Sequence, residues 1–126
     1  MGIDDKIEEN WEQFYQTVID QASIIKNTGK KFDGIYGIPR GGLIVAVCFS
    51  HILELPLITD IKEATLKTLI VDEIVETGKA FKSLNLPEPI ENYTTVALCK
   101  YKDCPFNPTH WLWLTNRYVK FPWEIK

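Results

Sequence analysis

The sequence predicts an α/β fold in which helices cover both faces of a mostly parallel sheet of about five strands. Short β-branched apolar runs alternate with segments whose apolar residues recur every three or four positions. Two of the apolar runs also end at glycine-bearing loops that precede helical patterns. This succession of strand, glycine loop and helix is typical of open parallel sheets that bind ligands at one edge.

The predicted elements follow in a regular order along the chain. Apolar residues from Ile7 to Ile25 recur on one face and predict a helix over residues 4–27, which Gly29 ends. After this helix, the patterns predict strands at 33–38, 55–60, 69–71, 94–99 and 111–114, and helices at 43–53 and 81–86. Together these elements are expected to form a single domain that spans residues 1–126.

Composition and charge exclude several classes of partner. The net charge of −3 argues against a broad nucleic-acid-binding surface. No run of about 18 apolar residues is present, and the acidic start MGIDDKIEEN is not expected to be a signal peptide, so no membrane partner is predicted. Cys48, Cys99 and Cys104 lack Cys-x-x-Cys spacing, so we expect reduced thiols and a cytoplasmic location.

The stretch TLIVDEIVETGKA, residues 68–80, carries the most specific functional pattern. Its apolar run stops at two adjacent carboxylates, Asp72 and Glu73, and Thr77-Gly78 then indicates a turn that opens a helix. Such a loop offers backbone N–H groups to a phosphate, while carboxylates can accept hydrogen bonds from sugar hydroxyls or hold Mg²⁺. An acidic strand end alone would be an ordinary solvated one, but the whole pattern indicates a sugar-phosphate site.

A second loop and the last third of the chain add further candidates. In GIPRGG, Arg40 precedes Gly41-Gly42, so this loop is either a second anion site or a tight turn with a solvent-facing arginine. Lys100 ends a predicted strand, where it either reaches the ligand or lies on the surface. The aromatic C-terminus either seals the core or presents a ring to a planar ligand.

Taken together, these stretches resemble the type I phosphoribosyltransferases. TLIVDEIVETGKA is similar to the loop that binds phosphoribosyl pyrophosphate (PRPP), and GIPRGG is similar to the pyrophosphate loop of the purine members. Lys100 resembles the lysine that recognises the 6-oxo group, and Tyr118-Val119 with Pro122-Trp123 resembles the C-terminal segment of the xanthine-guanine and hypoxanthine enzymes. The resemblance implies a three-layer α/β/α fold with a small C-terminal hood.

The resemblance also implies a reaction, in which ribose 5-phosphate passes from PRPP to hypoxanthine, guanine or xanthine with Mg²⁺ as cofactor. Asp72 and Glu73 would hold the ribose hydroxyls, directly or through Mg²⁺, and Glu76 would handle the proton near purine N7. The implied substrate contacts are Arg40, Gly41 and Gly42 for pyrophosphate, Thr77, Gly78, Lys79 and Ala80 for the 5-phosphate, and Lys100, Tyr118 and Val119 for the base. The family commonly forms dimers or tetramers, so a homo-oligomer active in purine salvage is expected.

Three departures from the family pattern leave a second function open. Glu76 stands where the family usually has Asp, and Ala80 stands where it usually has Thr or Ser. Residues 61–67 leave little room for the mobile loop that usually closes over the site. The alternative is therefore a PRPP- or nucleotide-binding regulator with weak or no catalysis; an enzyme for another base is a third possibility. A Walker loop and a G-x-G-x-x-G fingerprint are both absent from the sequence.

Overall fold

A five-stranded parallel sheet forms the centre of the computed structural model, which describes residues 7–125. Its strands run in the order β3-β2-β4-β5-β6 and comprise β2 (Gly34–Gly37), β3 (Leu57–Ile58), β4 (Thr68–Val75), β5 (Thr94–Tyr101) and β6 (Trp113–Thr115). The predicted fold class is confirmed. Because all five strands are parallel, their carboxyl ends share one edge, where ligands of open α/β sheets bind.

A second, two-stranded sheet joins the two ends of the described chain. Strand β1 (Ile7–Glu8) pairs in parallel with β7 (Val119–Lys120), in the register Ile7 with Val119. The predicted helix over 4–27 is therefore wrong at its start, and its residues 4–6 lie outside the described part of the chain. Asn10 explains the boundary, because its side chain caps the helix that follows and Gln13 completes a capping box.

The first face of the sheet is covered by two helices, α1 (Trp11–Asn27) and α2 (Gly41–Leu53). They bury Phe14, Val18, Val45 and Phe49 against the strands. This packing follows from the predicted apolar face of α1. Helix α2 begins at Gly41 rather than at residue 43, which brings the double glycine into its first turn.

The second face is covered mainly by short segments. Helix α3 (Lys79–Lys82) is shorter than the predicted helix at 81–86, and 3₁₀ turns span Ile61–Glu63 and Ile90–Asn92. Phe81 and Phe106 stack in this layer, with ring centroids 5.2 Å apart. The prediction failed because Asn85 and Pro87 follow at once, and a single helical turn needs tertiary packing to persist.

Strand lengths also differ from the predicted ones. β3 contains only Leu57–Ile58 of the predicted strand at 55–60, because it is an edge strand with one partner. β4 continues through the acidic pair to Val75, and β5 continues through Lys100 to Tyr101, because each of these central strands has partners on both sides. The final strand begins at Trp113 rather than at residue 111. Among the described helices, none combines the length and the apolar character needed to cross a bilayer.

Candidate functional site

The acidic pair lies inside the last half of β4, at the carboxyl edge of the sheet. Asp72 pairs with Ala97 of the neighbouring strand and is only 7% exposed, whereas Glu73 is half-buried. The Glu73 N–H donates a 2.8 Å hydrogen bond to Asp72 Oδ1. Two carboxyl groups on consecutive strand residues thus lie close together, one of them buried.

Burial decides the protonation of this pair. Loss of hydration, together with the side-chain hydrogen bond and negative charge of Glu73, raises the pKa of Asp72 to about 10. The site therefore holds a proton at neutral pH. A cation or a sugar hydroxyl placed between the two carboxyl groups would satisfy the same oxygens.

The loop between β2 and α2 lies directly against the acidic pair. A Cβ added to Gly41 would lie 1.8 Å from Glu73 Oε2, and one added to Gly42 would lie 2.7 Å from the Val71 carbonyl oxygen. At Gly42, where the neighbour is backbone, only glycine allows the two segments to approach this closely, whereas at Gly41 a side chain would displace the Glu73 carboxylate. The peptide bond between Pro39 and Arg40 is cis.

Arg40 stands at the N-terminal end of α2 on the solvent side of this loop. Arg40 is exposed, and no carboxylate within residues 7–125 forms an ion pair with its guanidinium group. An unpaired guanidinium beside backbone N–H groups at a helix start suits the oxygens of a phosphate.

The loop from β4 to α3 forms a small cleft of about 250 Å³. Gly78 turns the chain with φ of +87°, and Lys79 N donates a 3.2 Å hydrogen bond to Thr77 Oγ1. Phe106, from the connection between β5 and β6, supports this turn, since a Cβ on Gly78 would lie 2.4 Å from Phe106 Cβ. The cleft is lined by Asp72, Glu73, Glu76, Thr77, Gly78, Lys79 and Ala80, together with neighbouring apolar residues.

A larger cleft of about 700 Å³ adjoins the first. Arg40, Gly41 and Glu73 line one side, and Tyr118, Trp123, Glu124 and Ile125 line the other. Glu73 lines both clefts, so its carboxyl group lies between the loop from β4 to α3 and a compartment lined by aromatic and charged residues.

Lys100 lies in the penultimate position of β5 and is 6% exposed. Its ammonium group is 3.5 Å from the Tyr101 carbonyl oxygen and 5.9 Å from the centre of the Trp111 ring. No described carboxylate pairs with it. Burying an ammonium group with such weak compensation is costly, so this position is typical of a group that meets a ligand. Lys100 lines neither cleft but pairs with Val75, directly before Glu76.

Tyr118 and Val119 occupy opposite environments although they are neighbours. Tyr118 is 53% exposed and lines the larger cleft, whereas the Val119 side chain is buried in the core. Ile7 N donates to the Tyr118 carbonyl at 2.7 Å, and Glu9 N donates to the Lys120 carbonyl at 2.9 Å. In a parallel ladder of this register, the N–H and C=O groups of Val119 point away from β1. Val119 could thus contact a ligand through its backbone alone.

Most of the residues singled out in the sequence therefore gather around two adjoining clefts. Gly42, Lys100 and Val119 line neither cleft. Sequence reasoning did not single out Glu124 or Phe106. Glu124 follows the Pro-Trp pair directly, which was a usable signal, whereas nothing local distinguishes Phe106 in its proline-containing loop.

Comparisons with solved structures agree with this arrangement. The chain is similar to the purine phosphoribosyltransferase of Pyrococcus horikoshii OT3, with 27% identity and a TM-score of 0.75 over 96% of this chain and 95% of that one. It is also similar to the xanthine-guanine-hypoxanthine phosphoribosyltransferase of Helicobacter pylori, with 16% identity and a TM-score of 0.79 over 95% and 94% of the two chains.

A third similar structure is a hypothetical protein from Neisseria gonorrhoeae with bound ppGpp. The identity is 16% and the TM-score 0.70, over 98% of this chain and 92% of that one. No protein-family model and no curated protein matches the sequence.

The sheet order, the glycine loops and the structural neighbours define a class: the chain has the fold of the type I phosphoribosyltransferases. Within that class it resembles the purine enzymes that act on 6-oxopurines, over almost its whole length.

Proposed function

We propose that the protein is a purine phosphoribosyltransferase that transfers ribose 5-phosphate from PRPP to a 6-oxopurine and releases pyrophosphate. The contact of the acidic pair with Gly41 and Gly42, at the junction of the two clefts, supports this proposal most strongly. A substrate with a phosphate at one end, a ribose in the middle and a pyrophosphate beyond it matches that order of groups. The structural likeness to purine phosphoribosyltransferases supports the same choice.

In this proposal, the smaller cleft binds the 5-phosphate. The backbone N–H groups of residues 77, 78 and 80 would donate to its oxygens, and Gly78 turns this loop through its positive φ. The Thr77 hydroxyl, which accepts from Lys79 N, fixes the turn and can also donate to the phosphate.

The acidic pair and Arg40 would act on the ribose and on the leaving group. As the bond between C1 and pyrophosphate lengthens, C1 gains positive character, and the nearby carboxylates stabilise that charge. Arg40 and the amides of Gly41 and Gly42 would hold the departing pyrophosphate and neutralise part of its charge.

We propose Mg²⁺ as the cofactor, held by Asp72 and Glu73. Adjacent carboxylates suit this ion, and the residues 7–125 contain no cluster of three acidic, histidine or cysteine ligands, so substrate oxygens and water would complete its shell. When bound, Mg²⁺ neutralises charge on the pyrophosphate. The proton held by Asp72 would leave as the cation binds, because a metal ligand must be deprotonated.

The base would lie in the larger cleft, on the side of Tyr118. The Tyr118 ring would stack on the purine, the free backbone groups of Val119 would meet its edge, and the Lys100 ammonium group would donate to the 6-oxo oxygen. Glu76 would accept the proton near N7 as the new bond forms.

One assay tests the proposal. The protein is incubated with PRPP, Mg²⁺ and hypoxanthine, guanine, xanthine or adenine, and both nucleotide and pyrophosphate are followed. We expect turnover with at least one 6-oxopurine and a higher KM for PRPP in Arg40→Ala. Arg117→Ala, at the other arginine of the chain, should leave that KM unchanged. PRPP or nucleotide binding without turnover of any base would contradict the enzymatic proposal.

That contradicting result would favour a PRPP- or nucleotide-binding regulator. Glu76, Ala80 and the short connection from β3 to β4, with its 3₁₀ turn at Ile61–Glu63, support this second function. The Neisseria protein of the same fold is one that was solved with bound ppGpp. Retention of a buried Lys100 with no described carboxylate partner favours the enzyme instead.

We also propose that the protein forms a homo-oligomer through α2. This surface helix has no charged side chain and exposes Leu43 and Val47. An uncharged apolar patch is self-complementary and suits a second copy of the same chain. Light scattering should report a monomer for Val47→Glu and an oligomer for the unchanged chain; a monomer in both would contradict the proposal.

A further inference from the structure

The C-terminal segment, residues 118–125, is closed into a turn by one carboxylate. Glu124 Oε1 accepts a 2.9 Å hydrogen bond from the Phe121 N–H, and Glu124 Oε2 accepts one from the Tyr118 hydroxyl. The Glu124 N–H also donates to the Phe121 carbonyl at 3.0 Å. Both carboxylate oxygens are thus engaged within the segment itself.

The Tyr118 ring has little else to hold it. It is 53% exposed, and it forms no aromatic pair with a ring among residues 7–125. The backbone at this position is fixed, because the Tyr118 carbonyl accepts from Ile7 N at 2.7 Å. The contact with Glu124 therefore selects the direction of the ring from a fixed Cα.

Glu124 is itself held firmly from one side. The preceding residue, Trp123, stacks on Phe121 with ring centroids 5.1 Å apart and an interplanar angle of 4°, and it meets Phe14 edge-on at 5.1 Å. Aromatic packing thus anchors the turn on α1 and leaves the carboxylate facing the larger cleft, opposite Arg40 and Glu73.

We infer that Glu124 is a positioning residue, which holds the Tyr118 ring over the larger cleft in the orientation that stacks on the base. This inference rests on the proposed function. Without the hydrogen bond, the exposed ring would sample several rotamers, and binding would have to immobilise it. Because the proposed PRPP contacts in this cleft, Arg40, Gly41 and Glu73, lie on the wall opposite Tyr118, the loss should fall mainly on base affinity.

The test compares Glu124→Ala, Tyr118→Phe and the double variant. Each single change should raise the KM for the purine by about two- to tenfold, from the cost of immobilising one side chain, and leave the KM for PRPP unchanged. The double variant should show no further increase, because both changes remove one interaction. Glu124→Gln, which keeps an acceptor for the hydroxyl, should restore part of the base affinity. Glu91→Ala, an exposed glutamate on the 3₁₀ turn, is the matched control.

A spectroscopic readout separates positioning from a general loss of structure. The hydrogen bond and charge of Glu124 raise the pKa of the Tyr118 hydroxyl, so a ¹³C-labelled tyrosine titration should show a lower pKa for Tyr118 in Glu124→Ala with an unchanged melting temperature. An unchanged KM for the purine in Glu124→Ala, or additive effects in the double variant, would overturn the inference.

A failure of the proposed function can be distinguished from a failure of the positioning role of Glu124. If the unchanged protein turns over no base, the enzymatic proposal is wrong, and the inference is measured on the Kd for GMP instead. An increased Kd in Glu124→Ala and Tyr118→Phe, without additivity, supports the positioning role. An unchanged Kd in both overturns it.

Discussion

The two compartments of the candidate site are built in different ways. On the proposed phosphate side, glycines pack so closely that a side chain has no room, with Gly42 against the Val71 carbonyl oxygen and Gly78 against the Phe106 side chain. The proposed base side depends on single side chains, namely an exposed Tyr118 held by one carboxylate and a buried Lys100 that lines neither cleft. A backbone-built compartment tolerates almost no added atom, whereas a side-chain-built one can change its contacts by substitution. Substitutions on the base side should therefore change which purine is bound, whereas substitutions on the phosphate side should only weaken PRPP binding.

The largest expected effect comes from adding one methyl group to the phosphate side. In Gly78→Ala, the new Cβ would meet Phe106 at 2.4 Å, and alanine is strained at φ of +87°. We expect the KM for PRPP to rise by about 100-fold, because small misplacements of positioning groups cost that much, with little change in the KM for the purine.

Gly29→Ala is the matched control for this change. Gly29 has a similar φ of +75°, but nothing lies within 4 Å of an added Cβ. Both variants should melt at a lower temperature, and only Gly78→Ala should bind PRPP less well. Equal kinetic effects would contradict the idea of a closely packed phosphate compartment.

The second change removes the buried cation of the base side. Lys100→Met keeps the volume of the side chain and should raise the KM for a 6-oxopurine by about 10- to 100-fold, the range for losing a hydrogen bond from a charged group. The melting temperature should not fall, because a poorly compensated buried charge is removed. Lys102→Met, at an exposed position two residues on, should leave base affinity unchanged. If Lys100→Met leaves the preference among purine bases unaltered, the proposed contact of Lys100 with the base is wrong.

The third change tests how much the buried Asp72 carboxyl group lowers the free energy of unfolding. Because burial raises the pKa of Asp72 to about 10, the folded state binds a proton that the unfolded state releases near pH 4. Stability should accordingly fall as pH rises between these two values. Asp72→Asn keeps the acceptor for Glu73 N, so it should flatten that slope and raise the free energy of unfolding near pH 7 by about 1–3 kcal/mol.

Urea denaturation at several pH values measures this effect. Asp103→Asn, at an exposed aspartate, should leave the slope as it is in the unchanged protein. If Asp72→Asn loses stability near pH 7, the carboxyl group contributes to the fold rather than opposing it.

The smallest expected effect adds a side-chain contact to the backbone-built compartment. Ala80→Thr places a hydroxyl in the cleft that receives the 5-phosphate and should lower the KM for PRPP by about two- to tenfold. Ala80→Val has nearly the same shape without the hydroxyl and should give no gain. A gain in both variants would point to apolar packing instead of a hydrogen bond.

The two compartments also differ in how far the sequence predicts them. The phosphate side follows from local patterns, since TLIVDEIVETGKA and GIPRGG place carboxylates and glycines at the ends of neighbouring parallel strands. The start of α1 was predicted too early because Ile7 fits the periodicity of the helix. The capping box formed by Asn10 and Gln13 instead makes the helix begin at Trp11.

What the sequence could not predict depends on contacts between distant segments. Phe106 beneath Gly78, and Glu73 against Gly41, join positions that no periodicity connects. Pairing of β1 with β7 is likewise invisible locally, because a strand of two residues carries no alternating pattern. The turn at Glu124 falls in the same class, since it needs the position of Tyr118 in three dimensions.

The pairing of Ile7 with Val119 has a consequence for synthesis on the ribosome. A nascent chain emerges from its N-terminus, so β2, α2 and β4, which carry the proposed phosphate side, leave the exit tunnel before β7 does. Strand β1 emerges first of all the described elements and must wait for almost the last one. The strand ladder that fixes the backbone of Tyr118 therefore closes only after β7 has emerged, when the loops proposed to bind phosphate can already have formed.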